Sequence, residues 1–294
     1  LSAFELVFSV GAAAMSSYCL GNGKAFRARI IFSSVFYFAL LTSVVGGIIL
    51  YCFSDFIALY LGASETLLPL VQEYTEIIYL GAFIIVLHPM LDIFAINDKQ
   101  PLLAMIAMIV GAAMNIVLNY LFLFVLELGI HSSALATVLG HGIGMCILLQ
   151  HFLRKKGNLY LIKAFDLYAI LMATKNGIPQ SSSEISVSVM MLIFNHTIAG
   201  IAGDRGLAIY SVLMYVGIIP FTILLSMAQG MQPIASFNYG ANLMERVRGI
   251  FYFGLGVSFF GGIILYGIFY FLSPFIIPWF LQDDIILRDS ALAL

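Results

Sequence analysis

A single carboxylate, Glu184, lies well inside an apolar stretch, residues 166–199, that is long enough to cross a membrane. It follows Pro179, which removes a backbone donor and can bend a helix, and Gln180 and the serines at 181–183 keep its surroundings polar. An ionisable group at mid-bilayer costs about 2.5–3.5 kcal/mol on insertion scales, so a functional role is its default interpretation. Because burial disfavours the charged form of a carboxyl group, Glu184 is predicted to carry a proton. The alternative is a structural Glu that snorkels or hydrogen-bonds to a neighbouring helix.

Amide side chains recur at helical spacing in two of the apolar stretches. Asn195 follows Glu184 by eleven residues, about three helical turns, so the two side chains share a face. Asn115 and Asn119 are four residues apart in the charge-free stretch 101–126 and also share a face. Such amides form hydrogen bonds between helices or line a polar cavity, and the sequence leaves both alternatives open.

His88 and Asp92 are also four residues apart, on either side of Pro89. A metal site would need more ligands than this pair, so the sequence predicts ordinary polar residues near the cytoplasmic end of their helix. The chain contains no H-E-x-x-H pattern or other nucleophile–base constellation. We therefore expect no metal, no catalytic residue and no cofactor, and the protein is not predicted to be an enzyme.

The composition indicates that these polar residues belong to a membrane protein. Hydrophobic residues make up 62% of the 294 residues and charged residues only 10%, with a mean hydropathy of +1.05. A soluble domain carries roughly 25% charged residues, so the chain is predicted to be an all-α polytopic membrane protein. The cysteines, Cys19, Cys52 and Cys146, lie in apolar stretches and are predicted to be inert packing residues.

The apolar runs predict the positions of the membrane-spanning helices, because a span must satisfy its own backbone groups. Residues 101–126 carry no charge and give the clearest prediction. The predicted spans are about 1–20, 28–54, 68–95, 101–126, 132–153, 166–199, 205–236 and 245–272, with a last one starting near 285.

Basic residues fall in every second loop, which predicts the orientation of the chain in the membrane. The intervening loops are mostly acidic. We expect the basic loops on the cytoplasmic side of a plasma membrane, with bacterial origin. Ten of the thirteen Lys and Arg follow this rule: Lys24, Arg27, Arg29, Lys99, Arg154, Lys155, Lys156, Lys163, Arg246 and Arg248.

The sequence also resembles itself at an offset of 219 residues. This offset aligns Arg27 and Arg29 with Arg246 and Arg248, and Gly21 with Gly240. Six predicted helices separate the copies, so both copies enter the membrane in the same direction, as in a parallel repeat. The repeat predicts a full-length protein of twelve helices that is truncated here at both ends.

The residues from Gln229 to Ala241, Q-G-M-Q-P-I-A-S-F-N-Y-G-A, carry the most specific family signal. They closely resemble the end of the eighth helix in MATE-type multidrug and toxic-compound exporters. Asn115 and Asn119, followed by Thr137, are similar to the fifth and sixth helices of that family. Asn176-Gly-Ile-Pro179, followed by Glu184, resembles the seventh. The chain is identified on these residues as a member of the MATE family, covering about helices 2 to 10.

The resemblance implies two pseudo-symmetric six-helix lobes around a central cavity and export by alternating access. The implied domains are an N-terminal lobe at 1–156, a cytoplasmic loop at 157–165 and a C-terminal lobe at 166–294. Organic cations or other amphipathic compounds would leave in exchange for H⁺ or Na⁺. The expected partners are a small amphipathic substrate and membrane lipids, without nucleic acid, and the protein is expected to be a monomer.

The resemblance also implies the site residues. In the family, an Asp of the first helix joins an N-x-x-x-D pair and a Thr; Asn115 and Thr137 match, whereas Asn119 stands where the family often has Asp. This departure shifts weight to Glu184, which would bind either a proton or a cationic substrate. The predicted ion-coupling residues are Glu184, Asn115, Asn119 and Thr137, and the predicted substrate-binding residues are Gln180, Asn195, Gln229 and Gln232.

A flippase for lipid-linked sugars, from the same superfamily, is the alternative function. It should show a strongly basic cavity for pyrophosphate. The sequence has no Lys or Arg at mid-span apart from Lys175, which lies near the inner end of its span. A seven-helix receptor would lack the 219-residue repeat.

Overall fold

The computed structural model describes residues 2–60 and 68–280, and these residues are almost entirely helical. Short turns join most neighbouring helices, as expected for antiparallel spans. A π-helical turn, Leu121–Val125, extends the sixth helix. The helices are α1 Ser2–Gly21, α2 Ala25–Cys52, α3 Ser54–Tyr60, α4 Leu68–Leu80, α5 Ala82–Asn97, α6 Pro101–Tyr120, α7 His131–Leu153, α8 Leu167–Gly240 and α9 Met244–Phe280.

The prediction of an all-α polytopic fold is confirmed. Five helices of the described residues are long and apolar enough to cross a membrane, and the bent pair α4–α5 makes a sixth. Large apolar side chains such as Ile106 and Ile109 on α6 are exposed, as on a lipid-facing surface. The span predicted to start near 285 lies outside the described residues.

Two predicted spans, 166–199 and 205–236, are joined in the structure as the single helix α8. The break between them is confined to Gly203, whose φ of 61° and ψ of −158° are not helical. Only glycine adopts this backbone region readily, so the chain can change direction at this residue. Around Pro179 the backbone of α8 keeps helical dihedral angles.

The predicted span 68–95 is bent by 53° between α4 and α5. The bend occurs at Gly81 rather than at Pro89, which lies inside α5. A Cβ at Gly81 would lie 2.8 Å from Val138 Cγ1 on α7. Glycine therefore allows the bend to pack directly against α7.

The described helices belong to two compact units, Leu1–Ser182 and Ser183–Leu294. The core of the first unit is aromatic: the Phe32 ring centroid on α2 lies 4.7 Å from that of Phe94 on α5 and 4.8 Å from that of Phe152 on α7. All three rings are fully buried. The predicted lobe boundaries at 157–165 stay a prediction.

The repeat at an offset of 219 is visible in two helix–helix turns, α1–α2 and α8–α9. Each turn contains one residue with positive φ at the same place, Gly23 at 72° and Asn242 at 58°. Equivalent backbone hydrogen bonds close both turns. In the first, the N–H groups of Asn22, Gly23 and Lys24 donate to the carbonyls of Tyr18, Leu20 and Cys19; in the second, those of Ala241, Asn242 and Leu243 donate to Phe237, Tyr239 and Asn238.

The loop between α7 and α8 is held to the first unit by the buried carboxylate of Asp98. One oxygen of Asp98 accepts the backbone N–H groups of Asn158 and Leu159 at 2.7 and 3.0 Å. The other lies 2.7 Å from His151 Nε2. A Cβ at Gly157 would collide with this carboxylate, so the loop can pass over it only with glycine there.

The same loop is joined to α2 by hydroxyl and charged groups. Ser33 and Ser34 accept the N–H groups of Ile162 and Asp166 at 2.9 and 2.8 Å. Arg27 forms a salt bridge of 2.6 Å to Asp166. The interlobe segment is therefore an ordered part of the first unit.

Candidate coupling and substrate sites

A polar cavity of about 260 Å³ lies between α5, α6 and α7 in the first unit. It contains two of the three ion-coupling residues that the sequence predicts in this unit. The lining residues are His88, Met108, Gly111, Ala112, Asn115, Thr137, Gly140 and His141.

Of the two predicted amides of α6, Asn115 lies in the wall of this cavity and Asn119 lies one turn further along the helix. Asn115 Nδ2 donates to Thr137 Oγ1 on α7 at 3.2 Å, and Asn115 also lines the cavity. Both alternatives left open by the sequence, a hydrogen bond between helices and a cavity wall, are therefore realised by one residue. Asn119 Nδ2 donates to the Asn115 carbonyl at 3.0 Å, while its Oδ1 is buried without a hydrogen-bond partner.

Glycines bring α6 and α7 close enough to build this site. A Cβ at Gly111 would lie 2.9 Å from the Gly140 carbonyl oxygen, so the two backbones touch at this point. A Cβ at Gly144 would lie 2.7 Å from His88 Cε1. The missing side chain of Gly144 therefore makes the space that the His88 ring occupies.

Four ionisable side chains from α1, α5 and α7 form a group that begins at the cavity wall, where His88 and His141 lie. His88 Nδ1 and His141 Nδ1 are 3.0 Å apart, and His88 Nε2 lies 3.6 Å from Asp92 Oδ2. Glu5 on α1 is 4% exposed, and α1 packs against α5, which carries Asp92. We call these residues, Glu5, His88, Asp92 and His141, the carboxylate–histidine cluster.

Sequence reasoning placed His88 and Asp92 near a helix end and did not find this cluster. In the structure the His88 side chain is buried and in contact with α7. The i, i+4 spacing of His88 and Asp92 indicated that these two side chains share a face. Glu5, a charged residue in an apolar stretch, was a second indication of a buried polar site. Their partner His141 is 53 residues from His88, so only tertiary packing could connect them.

Glu184 lies in the second unit, on α8, and is partly exposed. Its backbone carbonyl accepts a hydrogen bond of 3.0 Å from Ser188 Oγ. The structure records no ion pair for its carboxylate among residues 2–60 and 68–280. Its predicted role in ion coupling therefore stays a prediction.

The predicted substrate-binding residues are distributed over both units. Gln232 lines a largely apolar cavity of about 360 Å³ between α8 and α9, with Met231 and Phe251. Gln229 is exposed one turn before it, and Asn195 is partly exposed. Gln180 belongs to the first unit and is also partly exposed. Their role in substrate binding stays a prediction.

In the part of the chain that the structure describes, no three His, Cys, Asp or Glu side chains are placed to hold a metal ion. The fold, a bundle of apolar helices with some polar side chains in its cavities, is that of a polytopic membrane protein. The chain belongs to the MatE family, whose pattern matches residues 1–121 and 179–294.

Relatives of known name support this assignment. Multidrug export protein MepA of Staphylococcus haemolyticus is 26% identical over 245 residues, which are 82% of this chain and 54% of the relative. The protein of the same name from Staphylococcus aureus is 25% identical over 240 residues, 80% of this chain and 53% of the relative. The chain thus spans about half the length of these relatives.

Solved structures show the same fold. A multidrug resistance MATE family transporter of the MOP superfamily, in an outward-facing conformation, superposes with a TM-score of 0.92 at 19% identity, covering 99% of this chain and 66% of that one. A MATE structure in the bent conformation gives a TM-score of 0.87 at 20% identity, with the same coverage. Two six-helix bundles fit this fold.

Proposed function

We propose that the protein is a secondary active exporter that moves organic cations or other amphipathic compounds out of the cell in exchange for H⁺ or Na⁺. The observation that carries this proposal is the family membership, together with relatives named as multidrug export proteins. Alternating access between two lobes is the mechanism that a twelve-helix parallel repeat supports.

Antiport requires that the coupling ion and the substrate exclude one another. A carboxylate that binds either a proton or a cationic compound provides this exclusion directly, since the two ligands compete for one charge. Glu184 is our candidate for this competition. Gln180, Asn195, Gln229 and Gln232 are proposed to contact the substrate, and the flexible side chain of Met231 beside Gln232 suits varied apolar surfaces.

Ion coupling is proposed to involve Asn115, Asn119 and Thr137 as well. Asn115 and Thr137 support this role because they are joined by a hydrogen bond and both line the cavity. Asn119 supports it because its buried Oδ1 has no hydrogen-bond partner among the described residues. The basic loops are proposed to face the cytoplasm. The transporter is proposed to act as a monomer in the plasma membrane, with lipids and the small substrate as its partners and no cofactor.

The test is efflux of ethidium, a planar organic cation, from vesicles that contain the full-length protein. A pH gradient and a sodium gradient are imposed in separate experiments. Efflux under either gradient supports a cation-coupled exporter and identifies the ion. Glu184→Gln should abolish coupled efflux while the protein stays folded, and unchanged efflux in this variant would exclude Glu184 as the switch.

The lipid-linked sugar flippase is not favoured. The cavity between α5, α6 and α7 and the cavity beside Gln232 are both lined without Lys or Arg. A pyrophosphate would require such residues. Absence of ethidium movement under both gradients would nevertheless count against export and favour the flippase.

A further inference from the structure

We infer that the carboxylate–histidine cluster, Glu5, His88, Asp92 and His141, binds and relays the coupling proton in the first unit. The inference rests on the proposed function and names H⁺ as the ion. It is carried by the distances that join His141, His88 and Asp92, by the burial of Glu5 on the neighbouring helix α1, and by the cavity that reaches His141.

The contact between the two imidazoles restricts their tautomers. The Nδ1 atoms are 3.0 Å apart, so one of them must donate a proton and the other must accept it. If His141 Nδ1–H donates to His88 Nδ1, the neutral His88 carries its proton on Nε2. That atom faces Asp92 Oδ2. A row of exchangeable protons then runs from the cavity towards Asp92, with one gap, between His88 Nε2 and Asp92 Oδ2.

Each transfer along this row moves one proton and conserves charge. A proton from cavity water binds His141 Nε2, and His141 gives its Nδ1 proton to His88 Nδ1. His88 then gives its Nε2 proton to Asp92 Oδ2, which becomes a neutral carboxylic acid. The Nδ1–Nδ1 hydrogen bond persists with reversed direction, so the relay ends in a second stable arrangement.

The last transfer is the controlled one. His88 Nε2 and Asp92 Oδ2 are 3.6 Å apart, whereas a hydrogen bond between N and O needs about 2.7–3.2 Å. The row is therefore open at this point in the described conformation. Both residues are on α5, so a change of side-chain rotamer at His88 or Asp92 would close it, and proton transfer would depend on that side-chain movement.

The two carboxylates at the end of the row need such a proton. Within residues 2–60 and 68–280, Glu5 Oε1 and Asp92 Oδ1 are both buried without a hydrogen-bond partner. A buried, unpaired negative charge is costly, and a second one on a helix packed against the first adds to that cost. One bound proton removes a charge and supplies a donor.

The other charged groups on the helices around α5 are not recorded as partners of the Glu5 and Asp92 carboxylates within the described residues. α1, α2, α4, α6 and α7 pack against α5, and α6 carries no acidic or basic side chain. The part of α8 that belongs to the first unit packs against α1 and carries one further charged group, Lys175, which is exposed. On α2, Arg27 binds Asp166 and Arg29 binds Asn158. On α7, His131 lies beside Glu73 of α4, and His151 lies beside Asp98. The remaining charged group is Glu76 on α4.

The donor set favours H⁺ over metal cations. Hard cations take several oxygen ligands, but two of the four side chains offer imidazole nitrogens. Three-ligand metal arrangements are also missing from residues 2–60 and 68–280. A neutral imidazole accepts a proton on one nitrogen and donates one from the other, so it is suited to passing protons.

The experiment measures proton binding and proton-driven transport separately in the full-length protein. Infrared difference spectra across a pH step, recorded in detergent, report protonated carboxyl groups without any need for transport. Efflux of ethidium from proteoliposomes under an imposed pH gradient reports coupling. The variants are Asp92→Asn and His141→Gln, and the matched controls are Glu73→Gln and His131→Gln, an exposed carboxylate and imidazole 3.9 Å apart.

Asp92→Asn should lose a protonated-carboxyl band that both controls retain. His141→Gln keeps the cavity wall but cannot relay, and should reduce pH-driven efflux by about tenfold or more. Wild-type spectra and wild-type efflux in both variants would overturn the inference. If wild type moves no ethidium under any gradient, the proposed function fails, and the infrared band alone decides whether the cluster binds a proton.

Discussion

The α1–α2 and α8–α9 turns have the same backbone but different surroundings. Both have a residue with positive φ, Gly23 or Asn242, and the same closing hydrogen bonds. The first turn lies beside the interlobe loop, which is joined to it through Arg27 and Asp166. The equivalent Arg246 makes no salt bridge within the described residues. The repeat therefore encodes local geometry, and the anchoring of the loop is a separate property of the first unit.

The largest expected effect comes from Asp98→Ala, which removes the buried anchor of the interlobe loop. His151 and two backbone N–H groups would lose their partner. Leaving buried polar groups unpaired in this way costs about 3 kcal/mol. Thermal unfolding in detergent should show a clear loss of stability. Asp55→Ala, at an exposed carboxylate on α3, is the control and should change the midpoint little.

A smaller effect on stability is expected at Gly23 and Asn242, the positive-φ residues of the two turns. Alanine costs about 1–2 kcal/mol in this backbone region, while Asn and Gly tolerate it. Gly23→Ala and Asn242→Ala should therefore each destabilise the protein, whereas Gly23→Asn and Asn242→Gly should be close to neutral. Unfolding midpoints of the four variants test this. Equal midpoints for all four variants would contradict the argument that positive φ disfavours alanine at these two positions.

The carboxyl group of Asp166 should make a pH-dependent contribution to the free energy of unfolding. The α8–α9 turn at 241–243 contains no titratable side chain that could do the same. The N–H of Ala169, at 3.1 Å, and the guanidinium of Arg27 hold the pKa of the Asp166 carboxyl below its usual range. A lowered pKa in the folded state stabilises the protein above the unfolded pKa of about 3.9. This stabilisation is lost as the pH falls through the folded pKa.

Asp166→Ala also removes the N-terminal cap of α8 and should cost about 1 kcal/mol at neutral pH. The comparison with Asp166→Asn isolates the charge, because Asn keeps a capping oxygen. Unfolding midpoints recorded from neutral to acidic pH should converge for wild type and Asp166→Asn. A constant gap across this range would contradict the assignment.

The smallest effect is expected from the two arginines themselves. Arg27→Ala breaks a partly exposed salt bridge, which is worth at most about 1 kcal/mol. Arg246→Ala should change stability less, since its described surroundings are the mainly apolar wall of a cavity with Ile250 and Phe253. Raised ionic strength should reduce the Arg27 effect alone. Equal, salt-insensitive effects of both substitutions would remove the distinction between the turns.

Much of the site could be predicted because helical spacing is a local property. The i, i+4 pair Asn115–Asn119 lies where its spacing placed it, and Asn115 reaches Thr137 as the family resemblance implied. Glu184 was found by its charge in an apolar stretch, but its partners could not be predicted. The cluster was missed because Glu5, His88 and His141 lie on three helices that are distant in sequence.

The sequence by itself determined the membrane class, the helix positions, the repeat and the family. The membrane class and the helix positions follow from composition and from residues within a few helical turns, where hydrophobicity and backbone geometry act locally. The repeat and the family follow from comparing short segments with one another and with known motifs. Only the tertiary structure decided which ionisable groups meet. Glycines such as Gly111 and Gly144 let three helices approach closely, and this approach places His88 against His141 and the buried carboxylates. Burial and pairing depend on the summed packing of distant segments, and no single segment of sequence contains that information.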